Sequence, residues 1–265
     1  MIGSIRLRIY RRLIAVLITP FVLLWASKAL SQDNYEIQVY GSETVKPQET
    51  MVELHSNYTV QGEHEEMNGV YPSQNQLHET VEITHGLTNT FETGFYLFTS
   101  AQHAQGWQVA GSHLRPRWRA PNEWELPVGV SLSMEVGYVR PQYSSDTWTM
   151  EIRPIVDKKL GSWYVALNPA LEKSFAGASA SKGFEFSPDI TISYDVTQVI
   201  TLGIEYYSSL GPIFSFDPLH EQQHQIVPAL DLNLGEEWEF NFGIAIGLTP
   251  ATDHTIVKMI VGRRF

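Results

Sequence analysis

The chain has 265 residues, with 18 basic and 29 acidic side chains, a net charge of −11 and no cysteine. That acidic surplus argues against nucleic acid as a partner, and without cysteine disulfides contribute nothing to its stability. Beyond the N-terminal stretch no segment is long and apolar enough to be a membrane helix. A membrane-embedded form must therefore be a closed barrel, which leaves no backbone group unpaired in lipid.

Met1 to Ser31 carries Arg6, Arg8, Arg11 and Arg12, then an apolar run from Leu13 to Ala26, then Ala29-Leu-Ser31 with small residues at the cleavage-determining positions. This is the layout of a secretory signal peptide cut before Gln32. The apolar run is too short for a spanning anchor, which needs about 18–20 residues, and Pro20 interrupts it. The leader holds five of the 18 basic residues and no acid, so the mature chain has 13 basic against 29 acidic residues, a net charge of −16.

Residues 32–49 contain one short candidate strand, Tyr35 to Tyr40, and are expected to form an N-terminal periplasmic segment, with a place in a lumen as the alternative. Residues 50–265 read as the barrel. Thr50 to Gln61 sets Val52, Leu54, Tyr58 and Val60 against Glu53, His55, Asn57 and Thr59, the period of two that marks a strand with one apolar face. Leu77 to His85 follows after a long polar loop, then Phe91 to Thr99, whose aromatics fall on both faces and leave its parity open. After a loop from Ser100 to Ser112, His113 to Ala120 alternates Leu114, Pro116 and Trp118 with Arg115, Arg117 and Arg119. Val128 to Tyr138, Thr147 to Val156, Trp163 to Phe175, Gly183 to Tyr194, Val199 to Tyr207 and Gln225 to Leu234 continue the series. The last hairpin, Trp238 to Leu248 and His254 to Phe265, brings the count to twelve.

An even strand number, tight links after strands two, eight and ten, and long links after strands one, three and nine predict an all-β, antiparallel up-and-down transmembrane barrel of about twelve strands in an outer membrane. Aromatics near strand ends, among them Tyr138, Trp163, Tyr194, Tyr206 and Trp238, suit interfacial girdles. Phe265 reads as the terminal aromatic by which such barrels engage the assembly machinery, although Arg263 stands where an apolar residue is commoner. Pro116, Pro154, Pro169, Pro188 and Pro228 all have outward parity inside strands; proline removes a ladder donor, so bulges or rim positions are expected for them.

The predicted lumen carries a ladder of Arg115, Arg117 and Arg119, extended by Arg153, Lys258 and Arg264. It faces inward carboxylates that include Glu53, Glu82, Glu135, Glu151, Glu172, Glu185, Asp189, Glu205, Asp231 and Glu239. Stacked like charges repel, so the ladder requires acidic neighbours, and Glu135 and Glu151 are the expected ones. Small inward residues such as Ser131, Ser133, Ala166, Ala170, Gly243 and Ala245 leave room inside a barrel wider than the eight-stranded kind.

His220-Glu-Gln-Gln-His224 spells the zinc-protease motif, which requires a helix and a third ligand. Here it precedes a strand and reads as a solvated loop, so no metal, cofactor or catalytic residue is assigned. A lipid hydrolase needs Ser and His on one wall, and the adjacent His55 and Ser56 point to opposite faces. The function expected is a passive channel or transporter for small solutes in contact with outer-membrane lipids, with a salt-bridged closed barrel as the structural alternative.

The alternating strands, the Asn168-Pro169, Ser187-Pro188 and Val227-Pro228 placements and the terminal Phe265 resemble the outer-membrane proteins grouped as "MetA-pathway of phenol degradation". That resemblance is one of layout over most of the mature chain. It implies a barrel linked to uptake of small organic compounds and transfers no functional residue.

Overall fold

The computed structural model describes residues 34–265; the expected signal peptide, residues 1–31, lies outside them. Twelve antiparallel strands close into one barrel, each paired with its sequence neighbours and the first with the last. They are β1 (Thr50–Gln61), β2 (Leu77–Thr88), β3 (Phe91–Gln102), β4 (Gly106–Arg119), β5 (Gly129–Val139), β6 (Asp146–Leu160), β7 (Trp163–Gly177), β8 (Glu185–Asp195), β9 (Ile200–Ser209), β10 (Gln223–Leu232), β11 (Trp238–Gly247) and β12 (Thr255–Arg264). One short 3-10 turn, Asn122–Trp124, lies between β4 and β5. No described helix is long and apolar enough to cross a membrane.

The face assignments follow from the period of two. In β5, Leu132, Met134 and Val136 are exposed outside while Ser131 and Ser133 are buried inside. Outward residues such as Leu54, Phe95, Leu132, Ile192, Leu202 and Ile244 give the barrel an apolar outer wall. Such a wall is an aggregation hazard in water and a match for lipid. At the rim bearing the shorter turns, Trp163 packs on Tyr194 with centroids 4.9 Å apart and Trp118 on Trp124 at 5.7 Å. Phe265 closes the barrel there, exchanging backbone hydrogen bonds with Thr50 at 2.8 and 3.0 Å. Arg263 lies over both the Trp238 and Phe265 rings, 5.1 and 5.0 Å from their centroids, which accounts for a cation in this aromatic rim.

Three expectations are corrected. The link after β3 is a short turn, because β4 begins at Gly106 and takes up most of the expected loop; the pairing slips at Phe98/Thr99, where Ala110 is the additional residue. The prolines sit at neither bulges nor rims. In three pairings the ladder stops around them and resumes in unchanged register: at Pro116 between β4 and β5, at Pro154 and Pro169 between β6 and β7, and at Pro228 between β10 and β11. Pro169 is paired with Pro188 on β8, and extension of the β6–β7 register brings Pro154 opposite Pro169, a row of three prolines across adjacent strands.

The third correction concerns residues 32–49. From Asn34 on, this segment is not a tail outside the barrel; it runs up the bore as an internal strap. Pro47 bridges Gly86 at the turn rim, where a Cβ on Gly86 would lie 2.1 Å from the Lys46 carbonyl oxygen, so the crossing needs glycine. At the other end Asn34 donates to Asp253 in the β11–β12 link at 2.6 Å. Tyr35 joins Tyr96, Phe98, Ala110 and Val139 in one core cluster, and Ile37 joins Tyr207, Val227, Ala245 and Ile256 in another. The small inward residues around Ile37 therefore make space for the strap.

Candidate functional site: a strapped lumen

An extended segment inside a barrel must satisfy backbone groups that no strand pairs. Here wall side chains replace a ladder. Asn168 of β7 accepts from the Tyr40 N–H at 2.7 Å and donates its Nδ2 to the Tyr40 carbonyl at 2.9 Å. Thr80 donates to the Tyr35 carbonyl (2.8 Å), Lys258 to the Ile37 carbonyl (2.9 Å) and Asn57 to the Asn34 carbonyl (2.9 Å). Nearer the turn rim, the Val45 N–H donates to Glu92 at 2.6 Å and the Ser42 hydroxyl to Asp157 at 2.6 Å.

The arginine ladder lies around this strap, Arg115 and Arg117 buried and Arg119 partly exposed at the rim. Arg115 reaches Glu82 at 2.6 Å and Glu92 at 3.3 Å, Arg117 reaches Glu92 at 2.8 Å, and Arg119 holds Glu43 of the strap through two bonds of 2.6 and 3.1 Å. Arg153 forms a two-pronged pair with Glu151 of its own strand at 2.6 and 2.8 Å. The Tyr40 ring lies among three guanidinium groups, 5.2 Å from Arg115, 5.9 Å from Arg117 and 5.3 Å from Arg153. Ser133 of β5 pairs in register with both Arg117 and Arg153, so the small β5 residues let cations from β4 and β6 meet over it.

The neighbours expected for the ladder are therefore wrong in part. Glu135 pairs with His113, and Glu151 serves Arg153 rather than β4. Glu172 and Glu185 lie toward the loop rim, Glu185 within 3.4 Å of Lys182. Glu92 was missed because the aromatics of β3 concealed its parity: Tyr96 and Phe98 point inward, as does Glu92. Lys258, fully buried, ties the strap carbonyl of Ile37 to Glu205 at 2.5 Å and lies 5.7 Å from the Tyr207 ring centroid.

The bore has two main spaces. A cavity of about 1050 Å³ reaches the turn rim at Lys46, Glu236 and Arg264 and extends inward to Glu53, Glu82 and Arg115; ten carboxylate and five basic residues line it. Toward the loop rim is a cavity of about 170 Å³ lined by Glu151, Glu172, Glu185, Asp189 and Arg153. The two share no lining residue, and Tyr35 to Tyr40 run between them.

The His220–His224 stretch is not helical. His224 is the second residue of β10, with one ring nitrogen 2.6 Å from the Tyr206 hydroxyl and the other 2.9 Å from Gln222. His55 is buried inside the wall, while Ser56 faces out and donates to Glu79 at 2.9 Å, so the two do not meet.

No family model matches the chain, and no curated protein matches it. Among solved structures, the COG4313 outer membrane channel from Pseudomonas putida F1 is similar at 14% identity and TM-score 0.57, over 87% of this chain and 100% of that one. The KdgM porin is similar at 13% identity and TM-score 0.51, over 81% of this chain and 99% of that one. At these identities the likeness is one of fold: a closed barrel of the outer-membrane kind.

Proposed function

We propose that the chain is exported through the secretory pathway, loses residues 1–31 and inserts into the outer membrane as a passive channel for small solutes, its bore narrowed by the strap. The observation that carries this reading is the acidic cavity of about 1050 Å³, which opens at the turn rim and ends against Tyr40 and its arginines inside an apolar-walled barrel. The arginine ladder does not offer anions a free path, since Glu82, Glu92 and Glu43 occupy it. With carboxylates in two-fold excess along the cavity, the field in the mouth favours cations.

The channels named above, at TM-scores of 0.50 or more, lend support at the level of fold, and the resemblance to the phenol-degradation group supports uptake of small organic compounds. The test is the reversal potential of the purified protein in a planar bilayer under a potassium chloride gradient. Preferential passage of potassium is expected. Chloride preference, or no conductance and no solute flux in liposomes even after removal of the strap, contradicts the channel.

A further inference from the structure

We propose that Glu53, His55 and Glu82 form a binding site for a divalent transition metal at the inner end of the acidic cavity. Glu53 and Glu82 are direct cross-strand partners of β1 and β2, buried to 7% and 1% exposure, and His55 is fully buried one inward step further along β1. Like charges opposite one another in a sheet repel, and a buried carboxylate that stays ionised must be paired or coordinate a metal. One oxygen of Glu82 has its cations and donors: Oε1 accepts from Arg115 at 2.6 Å and from Thr84 at 2.7 Å. The other oxygen, Oε2, makes no hydrogen bond and lies 3.3 Å from His55 Nε2. Neither His55 ring nitrogen makes an aligned hydrogen bond, and the ion-pair neighbour of Nε2 is Glu82 itself. Glu53 makes no hydrogen bond or ion pair among the described residues.

One imidazole nitrogen and two carboxylate oxygens thus converge within 4.8 Å of one another, with His55 and Glu82 Oε2 in contact with each other at 3.3 Å. A nitrogen and two oxygens suit Zn²⁺, Mn²⁺ or Fe²⁺; Ca²⁺ takes oxygen alone. An ion bonded at about 2.1 Å to each would neutralise the Glu53–Glu82 repulsion and draw the three together. Arg115 and Thr84 act as the outer shell, fixing the Glu82 carboxylate with its second oxygen toward His55. Entry is through the cavity, which Glu53 and Glu82 both line. The site is distinct from the His220–His224 segment at the loop rim and stands whether or not the barrel conducts.

The test is equilibrium binding of Zn²⁺ and Mn²⁺ to the full-length mature barrel in detergent, followed by titration calorimetry and metal analysis after desalting. Four proteins are compared: wild type, His55→Gln, Glu53→Gln, and the loop double variant His220→Asn/His224→Asn, each first shown to be folded by heat-modifiable gel mobility. We expect one ion per wild-type barrel, unchanged affinity in the loop variant, and a loss of about a hundredfold or more in His55→Gln and Glu53→Gln, at least the upper end of what even an outer-shell change costs. If the inner variants fail to fold, zinc-edge anomalous scattering from wild-type crystals decides between a peak among the three side chains and a peak elsewhere. A wild type that binds neither ion, binding that survives in His55→Gln, binding lost only with the loop histidines, or an anomalous peak elsewhere overturns the proposal.

Discussion

The side chain of Asn168 pairs with both backbone groups of Tyr40, accepting at 2.7 Å and donating at 2.9 Å, as a neighbouring strand would. Asn168 is wholly buried and sits beside Pro169, where the β6–β7 ladder is interrupted. Changing it to Leu leaves the Tyr40 N–H and carbonyl without partners at a cost of about 1–3 kcal/mol. The expected outcome is a strap that loosens while the barrel stays folded. Limited proteolysis between residues 34 and 46 should speed up, with heat-modifiable mobility unchanged.

Lys258 tests the second anchor. Its ammonium is buried against Glu205 and the Ile37 carbonyl, so Lys258→Met strands a buried carboxylate. A loss of about 3–5 kcal/mol is expected in urea unfolding from bilayers. The double variant Lys258→Met/Glu205→Gln should recover most of it. Equal losses in the single and double variants would show that packing of the lysine stem, not the ion pair, matters.

Ile192 and Ser193 are adjacent and face opposite ways: the first is 47% exposed on the outer wall and the second lines the acidic cavity. Ile192→Arg should cost about 2–4 kcal/mol if it lies at mid-bilayer. Ser193→Arg should leave folding stability nearly unchanged and move ion preference toward anions. Ala245, although inward, is a poor site for this contrast, because it packs on Ile37 of the strap.

Asp253, in the β11–β12 link, receives hydrogen bonds from Asn34 and Ser73, both at 2.6 Å. Those bonds favour the carboxylate, but burial outweighs them and holds its pKa above the ordinary aspartate value. A raised folded-state pKa means that the folded protein binds this proton more tightly than the unfolded chain. The contribution to stability is therefore complete below the usual aspartate range and is lost as pH rises through the shifted value. Asp253→Asn should flatten this part of the stability profile, measured by unfolding as pH is raised from the acid side.

Much of the wall was legible in the sequence because one face meets an apolar phase and the other a polar one, as in β5, where Leu132 and Met134 alternate with Ser131 and Ser133. Where the inner phase is itself apolar, alternation loses its meaning. Tyr96 and Phe98 face inward onto Tyr35, so β3 had aromatics on both sides and its parity, and with it Glu92, stayed hidden. Ile256 is an inward apolar residue for the same reason, packed with Ile37. The strap itself escaped because its backbone partners are side chains far away in sequence, Thr80, Asn168 and Lys258, and no local periodicity records them. The prolines had the right parity, but nothing local shows that a ladder can open and resume in register. The ladder arginines were visible, whereas their partners depended on strand register and on His113 having taken Glu135.

The central claim is that the strap, not the barrel wall, limits the bore. Its most direct test is single-channel conductance in planar bilayers for the mature protein and for a variant lacking residues 34–46, both confirmed as folded barrels. A small but measurable cation-preferring conductance is predicted for the first, and a large, steady, cation-preferring conductance for the second. Equal conductance in the two, or no conductance in the strap-free barrel, would contradict it.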